Sequence, residues 1–133
     1  MLKLEIVTPE KRVLDAEVDS VTVPTASGEA GILPAHAPLI SALKPGILTY
    51  TGKTESGKLA VSGGFVEVNS DKVAVLVDTA ERADEIDAAA ARSDRETAEK
   101  ALAAAGIVEA DVAAETREAL DHAAARLSLA SGK

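Results

Sequence analysis

All five prolines of this 133-residue chain lie before Arg82, and so do seven of its nine glycines. Proline breaks a helix interior and glycine weakens one, so the first 82 residues are closed to long helices. After Arg82 the composition inverts. Residues 83–133 hold 18 alanines and no proline, yet only eight of the 35 large apolar residues (Val, Ile, Leu, Met, Phe, Tyr); the other 27 lie in residues 1–82. The chain is therefore read as two units, 1–82 able to build a core and 83–133 able to form helices with little to bury. The overall hydrophobic fraction of 47% averages over both and describes neither.

Within 1–82, apolar residues alternate with polar ones at Leu2, Leu4 and Ile6, at Val21 and Val23, at Leu48 and Tyr50, at Leu59 and Val61, and at Val66 and Val68. A period of two is the mark of a half-buried strand. Residues 73–77 (Val-Ala-Val-Leu-Val) are apolar throughout, which predicts a strand covered on both faces. Turn signals at Pro9-Glu10-Lys11, Ser27-Gly28, Pro45-Gly46, Ser56-Gly57, Gly63-Gly64 and Asn69-Ser70-Asp71 separate these runs. Short strands punctuated in this way predict an all-β antiparallel sandwich or barrel.

Beyond Arg82, Asp84 with Asp87 marks an acidic helix start. The helix is expected to run to about Ala105, with Gly106 as its left-handed C-terminal residue. A second helix is expected from about Glu109–Asp111, with Val112, Thr116, Leu120, Ala123 and Leu127 along one face. A short connection makes the pair an antiparallel α-helical hairpin. A buried leucine contributes roughly 1.5–3 kcal/mol, and this segment has four: Leu102, Leu120, Leu127 and Leu129. Its docking onto the rest is expected to be weak.

Composition and motifs exclude several functions. With no cysteine, disulfide frameworks, Cys-zinc sites and thiol nucleophiles are absent. One Phe, one Tyr, no Trp and a net charge of −8 argue against nucleic acid as a partner. No apolar run approaches a membrane span and no basic-then-apolar leader opens the chain, so direct membrane insertion is not expected. Gly52-Lys53-Thr54-Glu55-Ser56-Gly57-Lys58-Leu59 imitates a phosphate loop but puts Leu59 where Mg²⁺ needs a hydroxyl, and it continues as a strand where a helix is required. His36 and His122 show no metal-ligand spacing, and no nucleophile turn supports a triad of His36 with Ser41. The residues mark no catalytic constellation and no metal site.

The stretch from Ser27 to Leu39 holds two glycines and two prolines, a rigid loop suited to presenting Glu29 and His36 to a partner. Here Gly28-Glu29-Ala30-Gly31-Ile32-Leu33-Pro34-Ala35-His36-Ala37-Pro38-Leu39 resembles the signature loop of the epsilon subunits of F-type ATP synthase, equivalent to the mitochondrial delta subunit. Val61-Ser62-Gly63-Gly64-Phe65-Val66-Glu67-Val68 and Ala80-Glu81-Arg82-Ala83-Asp84-Glu85-Ile86-Asp87 resemble two further signatures of that family, in family order and spacing.

The resemblance implies a sandwich of about ten strands followed by a helical hairpin. It implies a non-catalytic rotor subunit in the central stalk, peripheral on the cytoplasmic face of the bacterial inner membrane as part of the F1 sector, or at the organellar equivalent if the chain is already processed. Its partners would be the gamma subunit and the c-subunit ring, contacted through Glu29 and His36. The hairpin, when extended, would reach the alpha/beta catalytic head and block ATP hydrolysis. Family members that bind ATP on the hairpin use an Ile/Leu-Asp-x-x-Arg-Ala motif. Ile86, Asp87 and Ala91 match it and Arg126 remains, but Ala90 replaces the arginine, and Thr97 and His122 stand at two further basic positions. No cofactor is implied, and regulatory ATP is expected to bind weakly or not at all. The inhibitory contact with a beta subunit would fall to Arg117 and Arg126. The alternative is a free-standing β-sandwich protein-binding module with an Ala-rich helical tail.

Overall fold

The computed structural model describes residues 2–34, 37–105 and 110–130. Ten strands come first: β1 (Leu2–Val7), β2 (Arg12–Val18), β3 (Ser20–Thr25), β4 (Gly28–Ile32), β5 (Leu39–Leu43), β6 (Gly46–Thr51), β7 (Ser56–Val61), β8 (Gly64–Asn69), β9 (Lys72–Val77) and β10 (Ala80–Glu81). A 3₁₀ turn at Ala83–Glu85 leads to α1 (Ala88–Ala105) and α2 (Ala110–Ala130). The strands form one continuous sheet in the order β10-β7-β6-β3-β5-β8-β9-β1-β2, with β4 paired to β3. It folds over between β3 and β5, where Thr25 opposite Leu43 is the pairing, and so makes the two layers of a near-closed sandwich. The expected all-β sandwich with a C-terminal helical pair is the fold found.

The alternation read from the sequence fills the sandwich. Leu2, Leu4, Ile6, Val21, Val23, Leu48, Tyr50, Leu59, Val61, Val66 and Val68 are all buried in one core with Val73, Val75 and Val77. Two positions depend on glycine, one for its backbone angle and one for a close approach. Gly28 has φ +123° at the β3–β4 turn, which Thr25 closes by donating its hydroxyl to the Gly28 carbonyl. A Cβ at Gly64 would run into the Leu76 carbonyl and the Val77 Cα.

Several local expectations change. The pairing is antiparallel except between β1 and β9, which run parallel; these strands lie at opposite ends of the sandwich sequence, so no tight hairpin constrains their direction. The 73–77 run is not covered on both faces: Val73, Val75 and Val77 point inward while Leu76 is 50% exposed. The hairpin covers β6 and β7 instead. Residues 28–32 are not irregular loop, because the Gly28 turn carries the chain straight into β4, with Glu29 opposite Pro24.

The helices also differ in detail. Asp84 lies within the 3₁₀ turn, and the α-helix begins past Asp87, whose Oδ1 accepts the Ala90 N–H at 3.0 Å, the usual N-cap arrangement. On α2, Ala123 is buried, and Thr116, Leu120 and Leu127 are half-buried; the stripe that meets the sandwich is a different one, Ala125 and Leu129. Gly106 and the Val112 side chain lie outside the described residues.

Candidate functional site: two outer faces of the sandwich

The outward side chains of β6 and β7 include Ile47 and Ala60, which stand opposite each other in register. They meet Ala125 and Leu129 of α2, and Ile86 of the linker, in a small apolar cluster separate from the main core. Beside it lies a polar clasp. The Arg126 Nε is 2.8 Å from Glu81 Oε1 of β10, and its Nη2 donates to Glu81 Oε2 at 3.3 Å. Its Nη1 is 3.5 Å from Asp94 Oδ2 of α1. The Arg126 and Glu81 side chains are only 15% and 24% exposed, against 66% for Asp94, so the Glu81 contact is the less screened of the two. Although the Nε is close enough for charge attraction, it lacks a well-aligned acceptor; the Nη2 bond is the aligned one.

One turn before Arg126, His122 places Nε2 3.4 Å from the Thr79 hydroxyl. Thr79 is itself fixed, because its N–H donates to Ser62 Oγ at 2.9 Å and its carbonyl accepts the Ser62 N–H. Burial and the adjacent Arg126 guanidinium hold the His122 pKa below the usual histidine value. The linker is pinned as well: the Arg82 Nη1 donates to the buried Tyr50 hydroxyl at 3.3 Å, and its backbone N–H to Glu85 Oε1 at 2.9 Å. The Tyr50 bond makes the Arg82 guanidinium still harder to deprotonate.

The second outer face belongs to β5, β8, β9 and β1. Register aligns Ala42, Phe65, Leu76 and Val7 in one row across these strands. The next row is Ile40, Glu67, Ala74 and Glu5. Phe65, Leu76 and Ile40 are 58%, 50% and 74% exposed. A shallow cleft of about 450 Å³ runs beside Phe65 and Leu76 to Val7 and Pro9. Contiguous exposed apolar side chains of this kind mark contact surfaces in soluble proteins.

The expected site residues are distributed as follows. Glu29 is exposed on β4, and His36 lies outside the described residues. Ile86 packs in the small apolar cluster, Asp87 caps α1, Ala91 is fully buried, and Arg126 is clasped by carboxylates. Arg117 is exposed on α2. Sequence reading missed the Phe65–Leu76 row and the partners of Arg126. The row was detectable, because Leu76 is apolar at a position whose alternation points outward. Glu81 and Asp94 carried no signal, since pairing them with Arg126 needs the three-dimensional arrangement. Among the described residues no cluster of metal-ligating side chains is present, and no helix is long and apolar enough to cross a membrane.

Fold and surface together define a class: a β-sandwich with a helical hairpin seated on one outer face and an apolar row open on the other, built to work by contact. The comparisons carry this further. The family model for ATP synthase, Delta/Epsilon chain, beta-sandwich domain matches residues 1–83. The ATP synthase epsilon chain of Desulforamulus reducens is 51% identical over 104 residues, covering 78% of this chain and 79% of that one. The epsilon chain of Dehalococcoides mccartyi is 49% identical over 129 residues, covering 97% and 91%. Among solved structures, a chain of the Euglena gracilis mitochondrial ATP synthase OSCP/F1/c-ring assembly is similar with a TM-score of 0.78 and 26% identity, over 98% of this chain and 81% of that one. The chain belongs to the ATP synthase delta/epsilon family, and the two curated relatives named above are epsilon chains.

Proposed function

We propose that the chain is a non-catalytic subunit of the central stalk of F-type ATP synthase, held peripherally on the cytoplasmic face of the bacterial inner membrane. In this reading the sandwich binds the gamma subunit and the c-subunit ring, and the hairpin regulates ATP hydrolysis. The observation that carries it is the open apolar row Ala42-Phe65-Leu76-Val7, on the sheet face that the hairpin leaves uncovered. A stalk subunit needs a permanent protein contact, and apolar side chains at the centre of such a contact supply most of its free energy. Glu29 on β4 and His36 after it are the residues proposed for the c-ring junction.

The hairpin side supports a movable element. Among the described residues its apolar contact with the sandwich is one leucine and small or half-buried neighbours, which supports a docking that rests on few interactions. Once extended, α2 would present Arg117 and Arg126 to the alpha/beta head. Ile86, Asp87, Ala91 and Arg126 do not make a strong nucleotide site in this reading. The Asp87 carboxylate is used as a cap and Arg126 is neutralised, while several phosphate charges need several free cations.

The test is ATPase activity of the assembled complex with and without residues 83–133, together with gamma-subunit binding by the double variant Phe65→Ser, Leu76→Ser. Truncation is expected to raise hydrolysis, and the double variant to fold but to lose stable one-to-one complex formation with gamma. Unchanged hydrolysis would refute the regulatory role. Unchanged gamma binding would favour the free-standing module or a different contact face. Saturable binding of ATP at micromolar concentration would overturn the reading of the hairpin as a poor nucleotide site.

A further inference from the structure

We propose that His122 makes the seating of the hairpin on the sandwich proton-sensitive, so that protonation of its imidazole releases α2. The geometry places the ring at the junction itself: on α2, one turn from Arg126, against Thr79 of the β9–β10 corner. From its own helix it faces the Arg126 guanidinium. From α1 it faces Asp94, and from β10 it faces Glu81. Both of these carboxylates are already engaged by Arg126. Farther out, the cleft that His122 shares with the β1–β2 turn and the linker carries Glu10, Lys11 and Glu85, with Asp78 at the corner; a second cleft, between α1 and α2, carries Glu115 of its own helix.

A proton added at His122 therefore puts a second cation beside Arg126 in a partly dry site whose two nearest carboxylates are taken. Burial and Arg126 oppose the charge, Glu81 and Asp94 favour it, and the balance lowers the pKa of the seated ring. When α2 leaves the sandwich the ring regains water and its ordinary value near 6.5. The released state then binds the proton more tightly than the seated state. Seating is at full strength above that ordinary value and weakens as the pH falls from it through the seated pKa. One site sets the ceiling: the release equilibrium changes by at most about tenfold per pH unit.

This inference rests on the reading of the hairpin as a part that leaves the sandwich, and its test is separable from the ATPase comparison. On the full-length chain, hydrogen exchange of α2 amides around Ala123–Leu129 is measured at about pH 7.5 and about pH 5.5, corrected for intrinsic rates. The wild type is expected to lose protection severalfold at the lower pH, and His122→Gln, whose amide can still reach Thr79, to lose none. Equal pH dependence in the two proteins, or none in the wild type, overturns the proposal. Should His122→Gln already release α2, the wild-type imidazole is titrated by NMR in buffer and in urea. A midpoint in buffer below that in urea supports the proposal, and one at or above it overturns the proposal. A His122-dependent release in a complex whose hydrolysis ignores residues 83–133 would leave the switch standing and remove its regulatory meaning.

Discussion

Arg126 of α2 joins β10 and α1 through charged contacts, and its contribution to seating can be worked from the geometry. Arg126→Met keeps the aliphatic stem and removes three contacts: Nε at 2.8 Å and Nη2 at 3.3 Å to Glu81, and Nη1 at 3.5 Å to Asp94. The Asp94 contact is two-thirds exposed and falls in the class of surface pairs worth under roughly 1 kcal/mol. The Glu81 pair is largely shielded. Hydrogen bonds to charged groups are worth roughly 1.5–3 kcal/mol, and removing one partner also strands the other. Because Glu81 keeps some access to water, the lower part of that range applies, and Arg126→Met should weaken seating by roughly 2 kcal/mol, about 30-fold in the opening equilibrium. Glu81→Gln should cost roughly 1–2 kcal/mol and Asp94→Asn under roughly 0.5 kcal/mol. Hydrogen exchange of α2 amides in the full chain reads these differences directly. A double-mutant cycle between positions 81 and 126 should give a coupling of about 1 kcal/mol or more. Coupling near zero, or an Asp94→Asn effect as large as that of Glu81→Gln, would refute the assignment of the clasp to the shielded pair.

Two further substitutions test the local structure. Asp87→Ala removes the cap on the Ala90 N–H and should lower the protection of the first turn of α1 by about 1 kcal/mol, with Asp87→Asn retaining most of it; equal effects of the two would show that the carboxylate charge, not the cap, matters. Gly64→Ala drives a Cβ into the Leu76 carbonyl across the β8–β9 pair, a backbone clash that no rotamer relieves, and should lower the chemical denaturation midpoint by the equivalent of more than roughly 2 kcal/mol; a midpoint within error of the wild type would mean that the strands separate at little cost.

The sandwich was legible because its signals are local. A period of two at Leu2-Leu4-Ile6 or Val66-Val68 depends on the pleat alone, and glycine or proline at the turns depends on backbone freedom alone. The helices were legible from alanine propensity and from the loss of proline after Pro45. Which face of α2 meets the sandwich was not legible. The pattern Leu120, Ala123, Leu127 is the stronger apolar stripe, but Ala123 and Leu127 lie beside α1, and the sandwich receives Ala125 and Leu129 across Ala60. Residues 73–77 misled for a related reason: uniform apolarity shows that no face needs water, without showing what covers it. Leu76 is left in the open beside Phe65 because the hairpin covers Ile47 and Ala60 on the other layer. The signature motifs carried identity more surely than chemistry. Asp87 and Arg126 stand in the motif positions, yet in this chain they serve as a helix cap and an ion-pair clasp.

If the hairpin regulates hydrolysis as proposed, that double use of Arg126 ties its seating to its action. While the hairpin is seated, one of the two arginines that α2 would offer to the catalytic head is neutralised by Glu81 and Asp94, and only Arg117 is exposed. Any partner that captures Arg126 must supply what the clasp supplied, so in the proposed reading seating and inhibition compete for one guanidinium and exclude each other. The two halves of the clasp then become unequal. Glu81→Gln frees the hairpin and leaves Arg126 charged and available, so ATP hydrolysis by the assembled complex should fall below that of the wild type. Arg126→Met frees the hairpin at least as well but removes half of its cationic contact, so hydrolysis should fall less, or rise. If the two variants shift hydrolysis alike, the extended hairpin obstructs rotation by its bulk, and the charge on α2 contributes nothing to the block.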